Sequence, residues 1–129
     1  MGHVLRLAHH LDQSAARELA CHDLTPAQLH LLVAVRARPG SLQQEAGEQL
    51  GVTKGNVSML VTRLQDKGLL TRTAVGGGNE LRLTPDGEQL LRRLLPDRRH
   101  WAAQLFAVLP EEDLQALLRA LRIVGATLP

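Results

Sequence analysis

The feature that most constrains this fold is a tight break between two helical segments in the middle of the chain. Gly51 closes the first segment, because glycine readily adopts the left-handed conformation found at helix ends. Thr53 follows two residues later, where its hydroxyl can cap the next helix. Two helices joined by so short a turn are typical of a helix-turn-helix.

The second of these helices is predicted over Thr53–Lys67. Gly68 supplies its C-terminal stop, and one of its faces is polar. Its apolar residues keep helical spacing and form one stripe, which consists of Val57, Leu60, Val61 and Leu64. Such a helix can pack on a core through its apolar face while its polar face enters the major groove of DNA.

Two further helices are predicted before this one. Thr25 and Gln28 form a capping box that begins the first, which should end near Arg38 because a Pro-Gly pair follows. Ser41 and Gln44 form a second capping box. This box predicts the start of the short helix that leads into the tight turn.

A β-hairpin is predicted after the polar-faced helix. Two short strands, Leu69–Ala74 and Glu80–Leu83, flank a glycine-rich connection at Gly76–Asn79. Thr84 and the proline after it then begin a long helix, which is expected to bend or break near Pro96. A helix-turn-helix followed by a hairpin is the order of a winged helix.

The helices at the two ends of the chain carry apolar stripes. The first spans about Val4–Ala20, and the last begins at Pro110 with acidic residues in its first turn. A broad stripe on the last helix favours contact with a second subunit, and the alternative is packing within the same subunit. That stripe consists of Leu114, Leu117, Leu118, Leu121, Val124 and Leu128.

The expected fold class is therefore mainly α with a small β-hairpin wing. It is a winged helix-turn-helix with six helices that forms a homodimer through its N- and C-terminal helices. Residues 1–129 form a single chain fold, with residues 25–84 as the winged-helix DNA-binding region and residues 1–24 and 85–129 as dimerisation helices. The composition suits helices packed through leucine, valine and alanine, because 44% of residues are hydrophobic and only 2% are aromatic.

The sequence gives little support to several other classes of protein. No stretch is apolar enough to span a membrane, and the N-terminal segment carries charges and histidines where a signal peptide would be apolar. A cytoplasmic location is therefore expected. No nucleophile elbow, phosphate loop or metalloprotease helix occurs, so neither enzymatic activity nor a cofactor is expected.

Cysteine and histidine usage bears on metal binding. Cys21 is the only cysteine, so an internal disulfide and a thiolate zinc cluster are both impossible. The six histidines lack the spacing of a metal-binding helix, and no metal site is expected. A zinc or copper site assembled between subunits is the alternative.

Three segments resemble the MarR family, the multiple-antibiotic-resistance regulators, over nearly the whole chain. They read LTPAQLHLL, LGVTKGNVSMLVTRLQDKGLLTR and LRLTPDGEQLL, in the order of the family and near its spacing. The resemblance implies a homodimer whose recognition helices enter successive major grooves of a palindromic DNA site. It implies a transcription regulator, expected to be a repressor, that a small-molecule effector or a redox signal releases from double-stranded DNA.

The residues that contact DNA are expected on the polar side of the recognition helix and on the wing. Asn56 is the leading candidate for a base contact, because an amide pairs bidentately with adenine. Lys54, Arg63 and Arg72 are expected to anchor phosphates. The full set is Thr53, Lys54, Gly55, Asn56, Ser58, Met59, Thr62, Arg63, Arg72, Asn79 and Arg82.

Some positions depart from the family pattern. Met59 stands where many relatives carry arginine, and the wing tip lacks an aspartate-arginine pair, which leaves Asn79 and Arg82 as weak substitutes. Gly55 either lets the backbone approach DNA closely or is a neutral surface residue. The short wing and Met59 favour an alternative function, a winged-helix protein-interaction module that has lost operator binding.

Cys21 is the candidate for a redox signal. Some members of the family use a reactive cysteine in the first helix, and a protonated His22 would favour the thiolate. Those members place the cysteine earlier and beside tyrosines, whereas this chain has no tyrosine. A buried or idle thiol is therefore the reading that we favour.

Overall fold

The structure, a computed structural model, describes residues 2–127, except for the side chains of residues 98, 101 and 102. Within that range the chain is mainly helical with a two-stranded antiparallel hairpin, as predicted. Leu128, predicted on the stripe of the last helix, lies outside the described residues. The elements in chain order are α1 (Gly2–Ala20), α2 (Pro26–Ala37), α3 (Gln43–Leu50), α4 (Lys54–Asp66), β1 (Leu70–Val75), β2 (Gly78–Leu83), α5 (Pro85–Phe106) and α6 (Glu111–Thr127).

The chain folds as two compact units, the first ending at Gln89 and the second beginning at Leu90. The first unit holds α1 to β2 and the first turn of α5, and the second holds the rest of α5 and α6. The helix α5 continues through Pro96, so the predicted break does not occur. Proline removes only one backbone hydrogen bond of this 22-residue helix. No helix in the described part of the chain has the length and apolar character needed to cross a membrane.

The core of the first unit forms around α2, which packs against α1, α3, α4 and β2. Burial of each large apolar side chain contributes about 1.5–3 kcal/mol relative to exposure. This packing holds the helix-turn-helix and the hairpin to one scaffold. The side chains of this unit that are at most 1% exposed are Leu19, Leu31, Leu32, Val35, Val61, Leu64, Leu70 and Leu81.

Local hydrogen bonds confirm the predicted helix boundaries around α2 and α4. The N–H of Gln28 donates to Thr25 Oγ1 over 3.2 Å, and the N–H of Thr25 donates to Gln28 Oε1 over 3.0 Å. Gly51 has φ 68° and ψ 29°, the left-handed conformation. The N–H of Asn56 donates to Thr53 Oγ1 over 3.2 Å. The tight turn between α3 and α4 is therefore confirmed.

The predicted start of α3 at Ser41 is wrong by one residue. Leu42 occupies the N-cap, and its N–H donates to Glu45 Oε2 over 3.2 Å. Ser41 lies before the cap, and its carbonyl accepts a hydrogen bond from the N–H of Leu81 over 2.9 Å instead of an intrahelical one. A contact with a distant strand therefore shifts the start of the helix.

The hairpin, called the wing below, is longer than predicted and its turn is tighter. β1 pairs with β2 over its whole length, so Gly78 and Asn79 belong to β2 rather than to the connection. The connection shrinks to two glycines, of which Gly76 has φ 51°. Glycine adopts this left-handed conformation without a steric penalty.

The wing is also joined to the segment before α3. The N–H of Gly40 donates to the carbonyl of Leu81 over 2.9 Å, next to the hydrogen bond between Leu81 and Ser41. Leu42 and Glu80 form an isolated antiparallel bridge beside them. The wing therefore shares hydrogen bonds with the helix-turn-helix on the side away from β1.

Candidate nucleic-acid interface

The helix α4 has one buried face and one exposed face. Val57, Val61 and Leu64 are at most 2% exposed and pack into the core. The predicted DNA-contacting residues of this helix share the other side: Thr53, Lys54, Gly55, Asn56, Met59, Thr62 and Arg63 are exposed, and Ser58 is half-buried. The structure thus brings these eight positions onto one solvent-facing surface.

The beginning of α4 carries positive electrostatic character. The cap at Thr53 uses the main-chain N–H of Asn56 and leaves the side-chain amide of Asn56 exposed. Lys54 forms no ion pair with any residue that the structure describes. First-turn N–H groups and the helix dipole favour anions, and Lys54 adds a full charge to them. This end of α4 is therefore suited to a phosphate group.

A shallow hollow of about 180 Å³ lies beside the exposed face of α4. We call it the α4 hollow. It is walled by Ala27, Val52, Asn56, Met59, Leu60 and Arg63. Helical spacing already groups the members from α4, whereas only the folded chain places Ala27, from the first turn of α2, beside them. No signal in the sequence pattern indicates that Ala27 belongs to this site.

Close packing against α3 fixes the direction in which α4 faces. A Cβ atom at Gly47 would lie 3.1 Å from Cγ1 of Val57. Glycine permits this approach, so α3 rests directly on the buried face of α4. The polar face of α4 is consequently held toward solvent.

The C-terminal end of α4 is anchored to the turn between α1 and α2. The Nζ atom of Lys67 lies 3.4 Å from Asp23 Oδ2 and 3.4 Å from Gln28 Oε1, and it also donates to the main-chain carbonyl of Asp23. Lys67 therefore has a structural role, in holding this end of α4. Among the described residues, Lys54 and Arg63 are the α4 cations that have no ion-pair partner.

The predicted wing residues lie on two faces of the hairpin. Arg72 pairs in register with the buried Leu81, whereas Arg82 pairs with Thr71 and so points to the opposite face. Arg72 is half-buried, and its Nη1 donates to Gln43 Oε1 over 3.5 Å. This guanidinium is therefore partly withdrawn toward α3.

Arg82 is the more exposed of the two wing arginines. Its Nη2 lies 3.8 Å from Glu80 Oε1, with 57% of the arginine side chain open to solvent. A Cβ at Gly40 would lie 2.7 Å from the same nitrogen, so the guanidinium rests against the turn before α3. Asn79 is half-buried. The wing thus presents Arg82 as its accessible cation.

Cys21 lies in the turn that follows α1. Its thiol is exposed and donates to the carbonyl of Glu18 over 2.9 Å, so the possibility of a buried thiol is wrong. In the described part of the chain, no group of three histidine, cysteine, aspartate or glutamate side chains is placed to hold a metal ion.

The sequence of this region matches a known family. The model of the MarR family aligns with residues 22–78, from the turn before α2 to the first residue of β2. An uncharacterised HTH-type transcriptional regulator of Bacillus cereus is 30% identical over 115 residues, which cover 89% of this chain and 78% of that protein. The match to the family model therefore includes the whole of α4.

Solved structures share the fold. PcaV, a transcriptional regulator of Streptomyces coelicolor in complex with its natural ligand, is 27% identical with a TM-score of 0.79, and the match covers 94% of this chain and 90% of PcaV. MepR of S. aureus in complex with DNA has a TM-score of 0.84 at 24% identity, over 98% of this chain and 94% of MepR, and shows the fold alone. The chain belongs to the MarR family of DNA-binding transcriptional regulators.

Proposed function

We propose that this protein represses transcription by binding a specific DNA sequence through α4. The observation that supports this most is the exposed face of α4, which gathers polar and cationic side chains on a helix whose other face is fixed in the core. An α-helix fits the major groove, where the edges of the four base pairs present distinct patterns. In this proposal, the protein bound at its operator blocks transcription of the genes beside it.

Roles within α4 follow from side-chain chemistry. The exposed amide of Asn56 pairs with adenine, while Lys54 and Arg63 neutralise phosphates on either side of the groove. A Cβ at Gly55 would meet nothing within 4 Å, so the backbone there is open and can approach DNA closely. The hydroxyl groups that complete the surface belong to Thr53, Ser58 and Thr62.

The wing supplies further contacts to the DNA backbone in this proposal. Arg82 is the exposed cation, and Arg72 and Asn79 add polar contacts from the other parts of the hairpin. The tip is a two-glycine turn without a charged side chain. We therefore assign sequence discrimination to α4 and orientation on the duplex to the wing.

We also propose that the protein acts as a homodimer on a palindromic operator. α1 leaves Val4 and Leu7 68% and 47% exposed, and α6 leaves Leu121 and Val124 57% and 56% exposed. Apolar stripes of this kind usually mark contact with another protein surface. A second copy covering them would present two copies of α4 to half-sites about 34–36 Å apart.

A small-molecule effector completes the proposal. PcaV, which is 27% identical to this chain, is in complex with its natural ligand. A ligand that binds the DNA-free state more tightly than the DNA-bound state would release the protein from its operator. This expectation rests on the family and on PcaV.

The proposal is tested by selecting bound duplexes from a random DNA pool with the purified protein. The expected products are palindromes with half-sites about one helical turn apart. Their affinity should fall with salt concentration, with a slope of about −0.9 for each phosphate contact. A folded dimer that shifts no duplex at low salt would contradict DNA binding and support the protein-interaction module instead.

A further inference from the structure

Met59 is an unusual side chain for its position. Of the large apolar residues in α3 and α4, Met59 is the one that is exposed, with 50% of its surface open to solvent. Isolated apolar residues are common on protein surfaces. This one, however, lies in the middle of the helical face that we assign to base contacts.

The surroundings of Met59 combine apolar and polar groups. Asn56 and Arg63 stand three residues before it and four residues after it, and therefore share its side of the helix. All three line the α4 hollow together with Ala27 and Leu60, which supply apolar walls. Hydrogen-bonding groups thus flank a small apolar patch.

Space is available over this patch. Gly55 precedes Met59 by four residues, and a Cβ there would meet nothing within 4 Å. A flat group can therefore approach Met59 from the N-terminal side of the helix. The unbranched, polarizable thioether can adjust its rotamers to such a group.

The chemistry of the major groove identifies the group that fits. Base edges there present donors, acceptors and one apolar substituent, which is the 5-methyl group of thymine. We propose that Met59 determines specificity by packing against a thymine methyl in each half-site, near the adenine that Asn56 contacts. This inference rests on the proposed DNA-binding function. Removal of one methyl-sized group from an apolar contact should weaken binding about fourfold.

The test uses operator duplexes in which single thymines are replaced by deoxyuridine, which lacks only the 5-methyl group. The wild-type protein should lose about fourfold in affinity at one position of each half-site. Met59→Ala should bind the thymine and deoxyuridine duplexes equally, and Met59→Leu should keep part of the difference. Val33→Ala removes an exposed apolar side chain of α2 and should keep all of it.

Two results separate this inference from the proposed function. Salt-dependent operator binding without any deoxyuridine effect, or with an effect that persists in Met59→Ala, overturns the role of Met59 and leaves the proposed function standing. Absence of salt-dependent binding by the folded wild-type protein overturns both. Circular dichroism of each variant checks that the fold is intact.

Discussion

Lys67 at the end of α4 is paired with Asp23, with 3.4 Å between Nζ and Oδ2. The same ammonium group donates to the main-chain carbonyl of Asp23 and lies 3.4 Å from Oε1 of Gln28, a residue only 3% exposed. The side chain of Asp23 is 95% exposed, whereas the side chain of Lys67 is 28% exposed. An ion pair to so exposed a carboxylate contributes at most about 1 kcal/mol. We therefore expect the two uncharged oxygens to contribute more to holding Lys67 than the carboxylate does.

This difference predicts unequal effects of two substitutions. Lys67→Met keeps the length of the side chain but loses the ammonium group, and should lower the free energy of unfolding by about 1–3 kcal/mol. Asp23→Asn removes only the charge and tolerates the positive φ of 54° at this position, and should cost less than about 1 kcal/mol. Denaturant titration measures both. Equal losses would show that the carboxylate dominates.

Asn56 and Lys54 should affect DNA binding in different ways. Asn56→Ala should reduce discrimination between the operator and a random duplex by about 1–3 kcal/mol, because it removes the base contact that we propose for Asn56. The helix cap should survive, since it uses the main-chain N–H of Asn56. Lys54→Ala should weaken binding to both duplexes and reduce the salt slope by about 1.

Titration of both duplexes over a range of salt concentrations distinguishes these outcomes. Arg119→Ala removes an exposed cation of α6 and serves as the matched control, with an unchanged salt slope expected. An equal loss on operator and random DNA for Asn56→Ala would contradict its assignment to a base.

Gly87 allows the first turn of α5 to lie against the segment that follows α4. A Cβ there would stand 2.2 Å from the carbonyl oxygen of Leu69, so the backbone would have to shift. Gly87→Ala should therefore lower the free energy of unfolding by about 1–3 kcal/mol. Gly125→Ala is the control, because a Cβ there meets nothing within 4 Å and should stabilise α6 by up to about 1 kcal/mol. Thermal unfolding of both variants measures these changes in the free energy of unfolding.

Substitution of Gly55 should have opposite effects on stability and on DNA binding. Since a Cβ at this position meets nothing within 4 Å, Gly55→Ala should stabilise α4 by up to about 1 kcal/mol. The added methyl group should nevertheless weaken operator binding if the backbone lies against DNA, as we propose. Unchanged affinity in the more stable variant would identify Gly55 as a neutral surface residue.

The stripe on α6 should be needed for dimerisation. Leu121→Glu places a charge on a side chain that is 57% exposed in the single chain and should shift sedimentation toward the monomer. Ala116→Glu adds the same charge to the opposite side of the helix and should leave the dimer intact. Dimers of equal strength in both variants would place the interface elsewhere.

The parts of the fold that the sequence predicts well depend on hydrogen bonds between near neighbours. The capping box of Thr25 with Gln28 and the cap of Thr53 on the amide of Asn56 each span three residues. Gly51 ends α3 through its own backbone conformation. These signals are complete within one helical turn, so no knowledge of the rest of the chain is needed.

Other features depend on residues far apart in the chain. Ser41 resembles a helix cap, but its carbonyl is used by Leu81, which no local pattern indicates. Lys67 belongs by sequence to the charges near the recognition helix, yet its partner lies 44 residues away. Ala27 likewise enters the α4 hollow only through the packing of α2 beside α4. The sequence indicates which side chains are exposed and able to make contacts. It does not indicate these pairings between distant residues.

Hydrogen bonds on both edges of β2 attach the wing to the helix-turn-helix. Leu81 is paired with β1 on one side and with Gly40 and Ser41 on the other. We therefore expect the hairpin amides and the amide of Gly40 to exchange with solvent together, as one cooperative unit. We expect a displacement of the glycine tip to reach the segment that leads into α3, which itself packs on α4. Contacts of the wing with DNA, as we propose them, would then be mechanically linked to the orientation of α4.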